Sequence, residues 1–396
     1  MSERPPVRTK ENFLVFGSPA LEQAEIDEVV ACLKSRWIGT GPRTARFERD
    51  FAAYKGVDAA VALHSCTAAL HLAMVALNLK PGDEVITTPL TFCATVNAIL
   101  HAGGTPVLAD IDPATLNIDP AKVREKITPR TRAILPVHFA GRPCDMDSLM
   151  AIAREHGLAV IEDCAHAIET LYHGQHAGTL GDFGCFSFYV TKNIITGEGG
   201  MVIAKKPEDL ARIKVLGLHG MSADAWKRFG DEGYKHYAVV EAGFKYNMMD
   251  IQAALGIHQL PRVDAYHARR EAVWARYMEA FSALPAGRRI GLPAPQEPDT
   301  LHARHLFTVL VDEETSGIGR DDFLMAMTKQ GIGVGVHYLS LPEHPYYQER
   351  LGWKPEAYPE AARIGREIVS LPISARLEDQ DVADVISAVR RVLGAE

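Results

Sequence analysis

The stretch AAVALHSCTAALHLAMVAL, Ala59–Leu77, sets a short apolar run against a longer helical pattern across the polar turn His64-Ser65-Cys66. Ala59–Leu63 has the length of a strand and Thr67–Leu77 that of a helix. The unit recurs along the chain. EVITT (Glu84–Thr88) precedes a helical Phe92–Ala102, PVLA (Pro106–Ala109) follows, and AILPV (Ala133–Val137) precedes a helix over Met146–His156 and then AVIE (Ala159–Glu162). Strand, helix, strand at this spacing predicts an α/β fold, a mostly parallel sheet flanked by helices. Pro81-Gly82-Asp83, Gly103-Gly104 and Gly157 supply the punctuation between elements.

After residue 180 the pattern changes. Phe183–Phe188 and Met201–Ala204 read as short strands, the second opened by TGEGG (Thr196–Gly200). Asp250–Phe281 reads as helix, broken or kinked at Pro261, which lacks an N–H and clashes with the preceding turn. A Pro/Gly-rich connector, Pro285–Pro298, leads to a strand (Leu306–Val311), a helix (Asp321–Lys329), a strand (Gly333–Val336) and two further helical segments. The expected division is a large domain over residues 1–250 and a smaller C-terminal α+β domain over 251–396.

The 396 residues are 47% apolar and 23% charged, which suits a folded chain of about two domains and excludes a disordered or collagenous one. Forty-two basic residues against 50 acidic ones give a net charge of −8. That balance argues against wrapping nucleic acid or hugging an anionic membrane. No apolar run reaches the roughly 20 residues of a membrane span. MSERPPVRTKENF lacks the apolar core of a signal peptide, so a cytoplasmic location is expected. Cys32, Cys66, Cys93, Cys144, Cys164 and Cys185 form no C-x-x-C pair. Reduced cytosolic thiols are expected, with no metal site.

Three stretches have the residues for chemistry. Ser65-Cys66-Thr67 lies at a strand-to-helix turn, where free N–H groups and the positive end of the helix dipole converge. These residues either cap the helix or hold a phosphate. Neither G-x-G-x-x-G after the strand nor G-x-x-x-x-G-K-[ST] anywhere supports a dinucleotide or P-loop reading. Glu162-Asp163-Cys164-Ala165-His166 emerges at the carboxyl end of AVIE, where open parallel sheets bind ligands. A carboxylate there is costly unless paired, and a protonated heterocyclic nitrogen would offset the cost. A helix cap at Asp163 and a structural histidine at 166 are the competing readings.

The third stretch is FSFYVTKN, Phe186–Asn193, followed by TGEGG. A lysine between a buried strand and a glycine-rich turn has few routes to solvent, and burial lowers an amine's pKa enough to make it a nucleophile. An isolated lysine is more often a solvated surface group. Taken together, Thr67, Lys192 and Asp163 meet the needs of pyridoxal 5′-phosphate: a phosphate cradle, an amine for the aldehyde and a carboxylate for the ring nitrogen. Phe92, just past the next strand end, either stacks on such a ring or packs in the core.

From WIGTGP (Trp37–Pro42) to SLPI (Ser370–Ile373), and most of all in FSFYVTKNIITGEGG and EDCAHA, the chain resembles the sugar aminotransferases of the DegT/StrS family of fold-type-I pyridoxal-phosphate enzymes. The resemblance implies that Lys192 bonds to the cofactor and later moves a proton, and that Asp163 pairs with the ring nitrogen. It also implies that His166 lies near the phenolic oxygen, that Phe92 stacks on the ring, and that Ser187, Cys66 and Thr67 hold the phosphate. A homodimer with shared active sites is implied, Asn247 of GFKYN (Gly243–Asn247) reaching the neighbour's phosphate. Many members instead read G-[FY]-N-Y-R in that segment. GFKYN, Leu218-His219-Gly220, Asp224-Ala225-Trp226 and Gly335-Val336-His337-Tyr338 are similar to the branch that makes UDP-4-amino-4-deoxy-L-arabinose. Thr40, Tyr189, His337 and Tyr338 would face substrate. Cys66 replaces a usual glycine and Tyr189 a frequent histidine. The expected reaction moves an amino group from L-glutamate to a nucleotide-linked 4-keto-sugar (a UDP-4-keto-pentose or a 4-keto-6-deoxyhexose) by ping-pong turnover, in amino-sugar or lipopolysaccharide biosynthesis. A keto-inositol or an eight-carbon keto-sugar acid is the alternative acceptor. A sugar 3-dehydrase would carry histidine in place of Lys192, and a non-catalytic regulatory protein is the alternative from another class.

Overall fold

A computed structural model describes residues 5–222 and 237–395, so Asp224–Trp226 lies outside the described residues. Helices α1 (Gln23–Ser35) and α2 (Pro42–Lys55) precede β1 (Val61–Leu63). The alternation then runs α3 (Cys66–Ala76), β2 (Glu84–Thr87), α4 (Cys93–His101), β3 (Thr105–Leu108), α5 (Pro120–Lys126), β4 (Thr131–Leu135), α6 (Met146–His156) and β5 (Ala159–Asp163). A hairpin of β6 (Leu171–Tyr172) and β7 (Gln175–His176) follows, then β8 (Phe183–Ser187), β9 (Gly200–Ala204) and α7 (Pro207–Leu216).

These strands build a seven-stranded sheet in the order β1-β9-β8-β5-β4-β2-β3. Pairing is parallel from β8 through β3, and only β9 runs against its neighbours β1 and β8. The expected fold class is what the chain adopts. The central strands are buried along nearly their whole length, as a sheet covered by helices on both faces requires. Because every strand except β9 points one way, their carboxyl ends share one edge, and the connections leaving that edge carry the polar residues singled out above.

The rest of the chain holds α8 (Asp250–Gln259) and α9 (Val263–Ser282), separated by a 3₁₀ turn at Leu260–Arg262, so Pro261 interrupts the helix as expected. The carboxylate of Asp250 caps the start of α2, accepting from the Thr44 hydroxyl at 2.8 Å and from the Thr44 and Arg43 amides. Beyond lie β10 (Thr300–Leu301), β11 (Phe307–Leu310), α10 (Glu313–Ser316), α11 (Arg320–Lys329), α12 (Pro345–Leu351), α13 (Pro359–Glu367), β12 (Ile368–Leu371) and α14 (Asp379–Val392). Two expectations fail here. Gly333–Val336 is not a strand: the Gly333 N–H is taken by the Leu14 carbonyl, and Gly335 makes a lone bridge to Ser370. Two glycines in four residues leave little side chain to pack on a pleat. The final stretch contains three helices, and the strand β12, pairing antiparallel with β11, lies hidden between two of them.

Candidate active site

The carboxyl ends of β1, β2, β4, β5 and β8 open on a cavity of about 500 Å³. Cys66, Thr67, Phe92, Asp163, His166, Ser187, Tyr189, Lys192, His337 and Tyr338 all line it. Thr40 and Asn247 do not. They line a separate cavity of about 320 Å³, where Asn247 Nδ2 donates to Thr40 Oγ1 at 2.6 Å.

At the head of α3, Ser65 is the cap: its Oγ accepts from the Ala68 N–H at 3.1 Å. Cys66 and Thr67 are the first two helical residues, whose N–H groups have no partner inside a helix. The Cys66 side chain packs into the core behind them. Gly200 permits this arrangement, since a Cβ there would lie 2.3 Å from the Ser65 carbonyl carbon and 2.5 Å from the Cys66 nitrogen. Ser187, paired with Gly200 across β8 and β9, brings its hydroxyl to the same corner. The turn thus has both a capping serine and a free amide cradle.

Asp163 ends β5 and is buried. Thr95 Oγ1, one turn along α4 from Phe92, donates to its Oδ2 at 2.9 Å, and the Ala165 N–H donates to its Oδ1 at 3.1 Å. With the Thr95 proton so committed, Thr91 Oγ1 donates to Thr95 Oγ1 at 2.8 Å. Burial pushes the Asp163 carboxyl upward, and the Ala165 amide and Thr95 hydroxyl oppose that push, with help from the charge of Lys192. A buried carboxylate whose hydrogen bonds come from neutral donors is suited to a protonated ring nitrogen.

Lys192 is half-buried in the cavity wall, and loss of hydration brings its amine down to about 8, against the raising influence of Cys66 and Asp163. The Ala140 N–H donates to His166 Nδ1 at 3.2 Å, which places the imidazole proton on Nε2, and Nε2 donates to Tyr338 Oη at 3.1 Å. Burial, reinforced by Lys192, His305 and His337, holds His166 well below its ordinary value, so the ring is neutral. His337 Nδ1 meets Ser370 Oγ at 2.9 Å, and burial lowers this imidazole to about 4. Phe92 is 57% exposed, its ring 6.0 Å from that of Tyr338, so it lines the cavity and is not core.

Sequence reasoning missed Thr95, whose signal was its place one helical turn after Phe92, and His305, whose ring centre lies 4.4 Å from that of His166 at a tilt of 37°. One other buried cluster, His138, Glu162 and Cys164, has metal-capable atoms. Glu162 there already accepts from His138 Nε2 and from the amides of Gly178, Leu180 and Gly181, a closed structural knot.

A lysine, a buried carboxylate, an amide cradle and an exposed aromatic around one cavity, on a mostly parallel sheet, define a fold-type-I pyridoxal-phosphate enzyme. The sequence profile of the DegT/DnrJ/EryC1/StrS aminotransferase family matches residues 19–390, and the chain belongs to that family of sugar aminotransferases, with pyridoxal phosphate as cofactor. It is 46% identical over 389 residues to the spore coat polysaccharide biosynthesis protein SpsC of Bacillus subtilis, covering 98% of this chain and 99% of that one. The PLP-form structure of the sugar aminotransferase Spr1654 from Streptococcus pneumoniae superimposes with a TM-score of 0.88 at 32% identity, covering 96% and 99% of the two chains. PseC of Helicobacter pylori, an aminotransferase involved in the biosynthesis of pseudoaminic acid, gives 0.89 at 26% identity over 97% of this chain and 100% of that one. Among the described residues, no helix is long and apolar enough to cross a membrane.

Proposed function

We propose that this aminotransferase moves an amino group from L-glutamate to a nucleotide-linked 4-keto-sugar, in two half-reactions that share one site. The observation that carries the reading is the convergence of the Lys192 amine, lowered to about 8, and the buried Asp163 carboxylate on one cavity. When bound, pyridoxal phosphate supplies an aldehyde to carry the amino group and a cationic ring to withdraw electrons from the carbon that loses a proton. Lys192 anchors it. In neutral form Lys192 Nζ takes the proton from the α-carbon of glutamate, and in the return half-reaction it delivers a proton to the former ketone carbon of the sugar. Asp163 holds the ring-nitrogen proton, Phe92 covers one ring face, and His166 faces the phenolic oxygen. Ser187 and the Cys66 and Thr67 amides hold the phosphate. Tyr189, His337 and Tyr338 face the sugar, and the branch motifs GFKYN and GVHY favour a UDP-4-keto-pentose or a 4-keto-6-deoxyhexose.

The working unit is a homodimer. Helix α1 exposes Ile26, Val30 and Leu33 at helical spacing, continued by Trp37 and Ile38, an apolar stripe that a second copy would cover. Thr40, just beyond that stripe in sequence, and Asn247, hydrogen-bonded to it, lie outside their own chain's main cavity, and Asn247 serves the partner's phosphate site. Residues 1–250 hold the cofactor, and 251–396 bring His337 and Tyr338 to it. A cytoplasmic location accords with six free cysteines, five of them buried. In the test, L-glutamate added to purified protein should bleach the visible band of the lysine-bound cofactor, and UDP-, GDP- or dTDP-linked 4-keto-sugars should be screened for its return. A band that glutamate leaves untouched overturns the donor. A bleached band that no 4-keto-sugar restores overturns the acceptor.

A further inference from the structure

Asn193, next to Lys192, uses every polar group of its side chain. Its Nδ2 donates to Glu169 Oε2 at 2.7 Å and to the Ala303 carbonyl at 3.0 Å, and its Oδ1 accepts from His305 Nδ1 at 2.9 Å. Each partner is itself anchored. Buried Glu169 is ion-paired with buried Arg270 of α9, whose Nε donates to the same Ala303 carbonyl at 3.3 Å. The Ala303 and His305 amides donate to the Gly141 and Ala140 carbonyls. That docking needs glycine at 141, where a Cβ would stand 2.8 Å from the Ala303 Cβ and 2.9 Å from the His166 carbonyl oxygen. The lysine's own backbone sits in a turn, its N–H donating to the Tyr189 carbonyl at 2.8 Å. Behind it a small cavity of about 20 Å³, bounded by Lys192, Asn193, Gln259 and Arg270, gives the loop room to move back.

We propose that Asn193 is a positioning residue for Lys192: by fastening the lysine loop to Glu169 and to residues 303–305, it holds the amine half-buried in the wall of the main cavity and limits its hydration. The inference rests on Lys192 being the lysine that bears the cofactor. Without the clamp, Glu169 loses a donor, the loop relaxes and the amine is more fully hydrated, so its proton affinity returns toward that of an ordinary lysine. Glu169 and Arg270 keep their own ion pair, so the fold survives.

The test is competitive acetylation of Lys192 across pH in the 396-residue chain freed of cofactor, read by peptide mass. Wild type should show a midpoint near 8. In Asn193→Ala the midpoint should rise by about one unit while the melting temperature changes little. His305→Phe, which keeps the ring against His166 but removes the donor to Asn193, should shift it the same way by less. An unchanged midpoint in Asn193→Ala, or in His305→Phe should the first variant not fold, overturns the clamp. Trapping of the cofactor by borohydride on a lysine other than 192 overturns the functional reading instead, a separate failure that peptide mapping detects directly.

Discussion

A carboxylate taken out of water keeps its charge only while something holds it there, and at Asp163 that task falls mainly to neutral donors. Thr95 is the replaceable one, because Val has its shape without its hydroxyl. Thr95→Val should raise the Asp163 carboxyl further, drawing the proton off the ring nitrogen toward the carboxylate and weakening the ring's pull on electrons. A hydrogen bond to a charged group is worth about 1.5–3 kcal/mol, so kcat should fall roughly ten- to a hundredfold with KM for glutamate little changed. Steady-state kinetics against glutamate check this, and an unaltered kcat would mean the ring proton is held elsewhere. On the proposed mechanism Lys192 sets the pH dependence. Its folded value is depressed to about 8, so the amine is neutral above that pH and protonated below it. Proton abstraction needs the neutral form, so the single-turnover rate with saturating glutamate should climb as pH rises through about 8 and level off beyond. In Lys192→Ala the turnover should be lost, and added methylamine should restore part of it as an external base.

At the scale of elements, α2 is tied to the β6–β7 hairpin by its last residue. Lys55 is buried, with Nζ donating to the Ile168 carbonyl at 2.7 Å and the Ala177 carbonyl at 3.3 Å, 4.4 Å from the centre of the Phe186 ring. Those carbonyls flank the hairpin, so one side chain closes its mouth. Burial lowers the amine to about 8. The unfolded chain therefore binds more protons than the folded one between about pH 8 and 10.5, and stability rises with pH across that window. The slope is at most about 1.4 kcal/mol per pH unit. Urea unfolding of wild type and Lys55→Met should show their stability difference shifting in favour of wild type as pH rises from 8 to 10.5. A difference independent of pH would mean that Lys55 is not desolvated. The elements most legible in sequence were those fixed by local pattern: Met146–His156 forms over the residues the periodicity marks, capped by Asp145 and ended by Gly157 in the left-handed region. The β6–β7 hairpin was not legible, because its two-residue strands hold no periodicity and β6 pairs outward with β10, far along the chain. Strand β12 was hidden for the same reason, its partner β11 lying about sixty residues earlier.

Over the whole molecule, the site divides into what a motif can announce and what only the fold assembles. Lys192, Asp163 and Ser187 stand in short runs with recognisable chemistry and meet in one cavity. The groups that hold them, Thr95 on Asp163 and His305 on Asn193, come from segments 68 and 112 residues away in sequence. No local pattern links such pairs. Thr40 and Asn247 mark the next level, since their side chains bond to each other beside a cavity that contains neither Lys192 nor Asp163. If they serve the partner's site, catalysis at each centre needs Lys192 from one protomer and Asn247 from the other. Lys192→Ala and Asn247→Asp should each form an impaired homodimer, the second by setting a carboxylate against a phosphate. Mixed by unfolding and refolding together, they should yield heterodimers with one centre that carries both substitutions and one that carries neither. Activity should recover to about a quarter of wild type, half the molecules being heterodimers with one working centre each. The glutamate half-reaction, followed by absorbance after mixing at several ratios, reads this directly. A mixture no more active than the average of its two parents would place Asn247 in its own chain's centre and remove the shared site from the proposal, while sedimentation would still report whether the α1 stripe joins two copies.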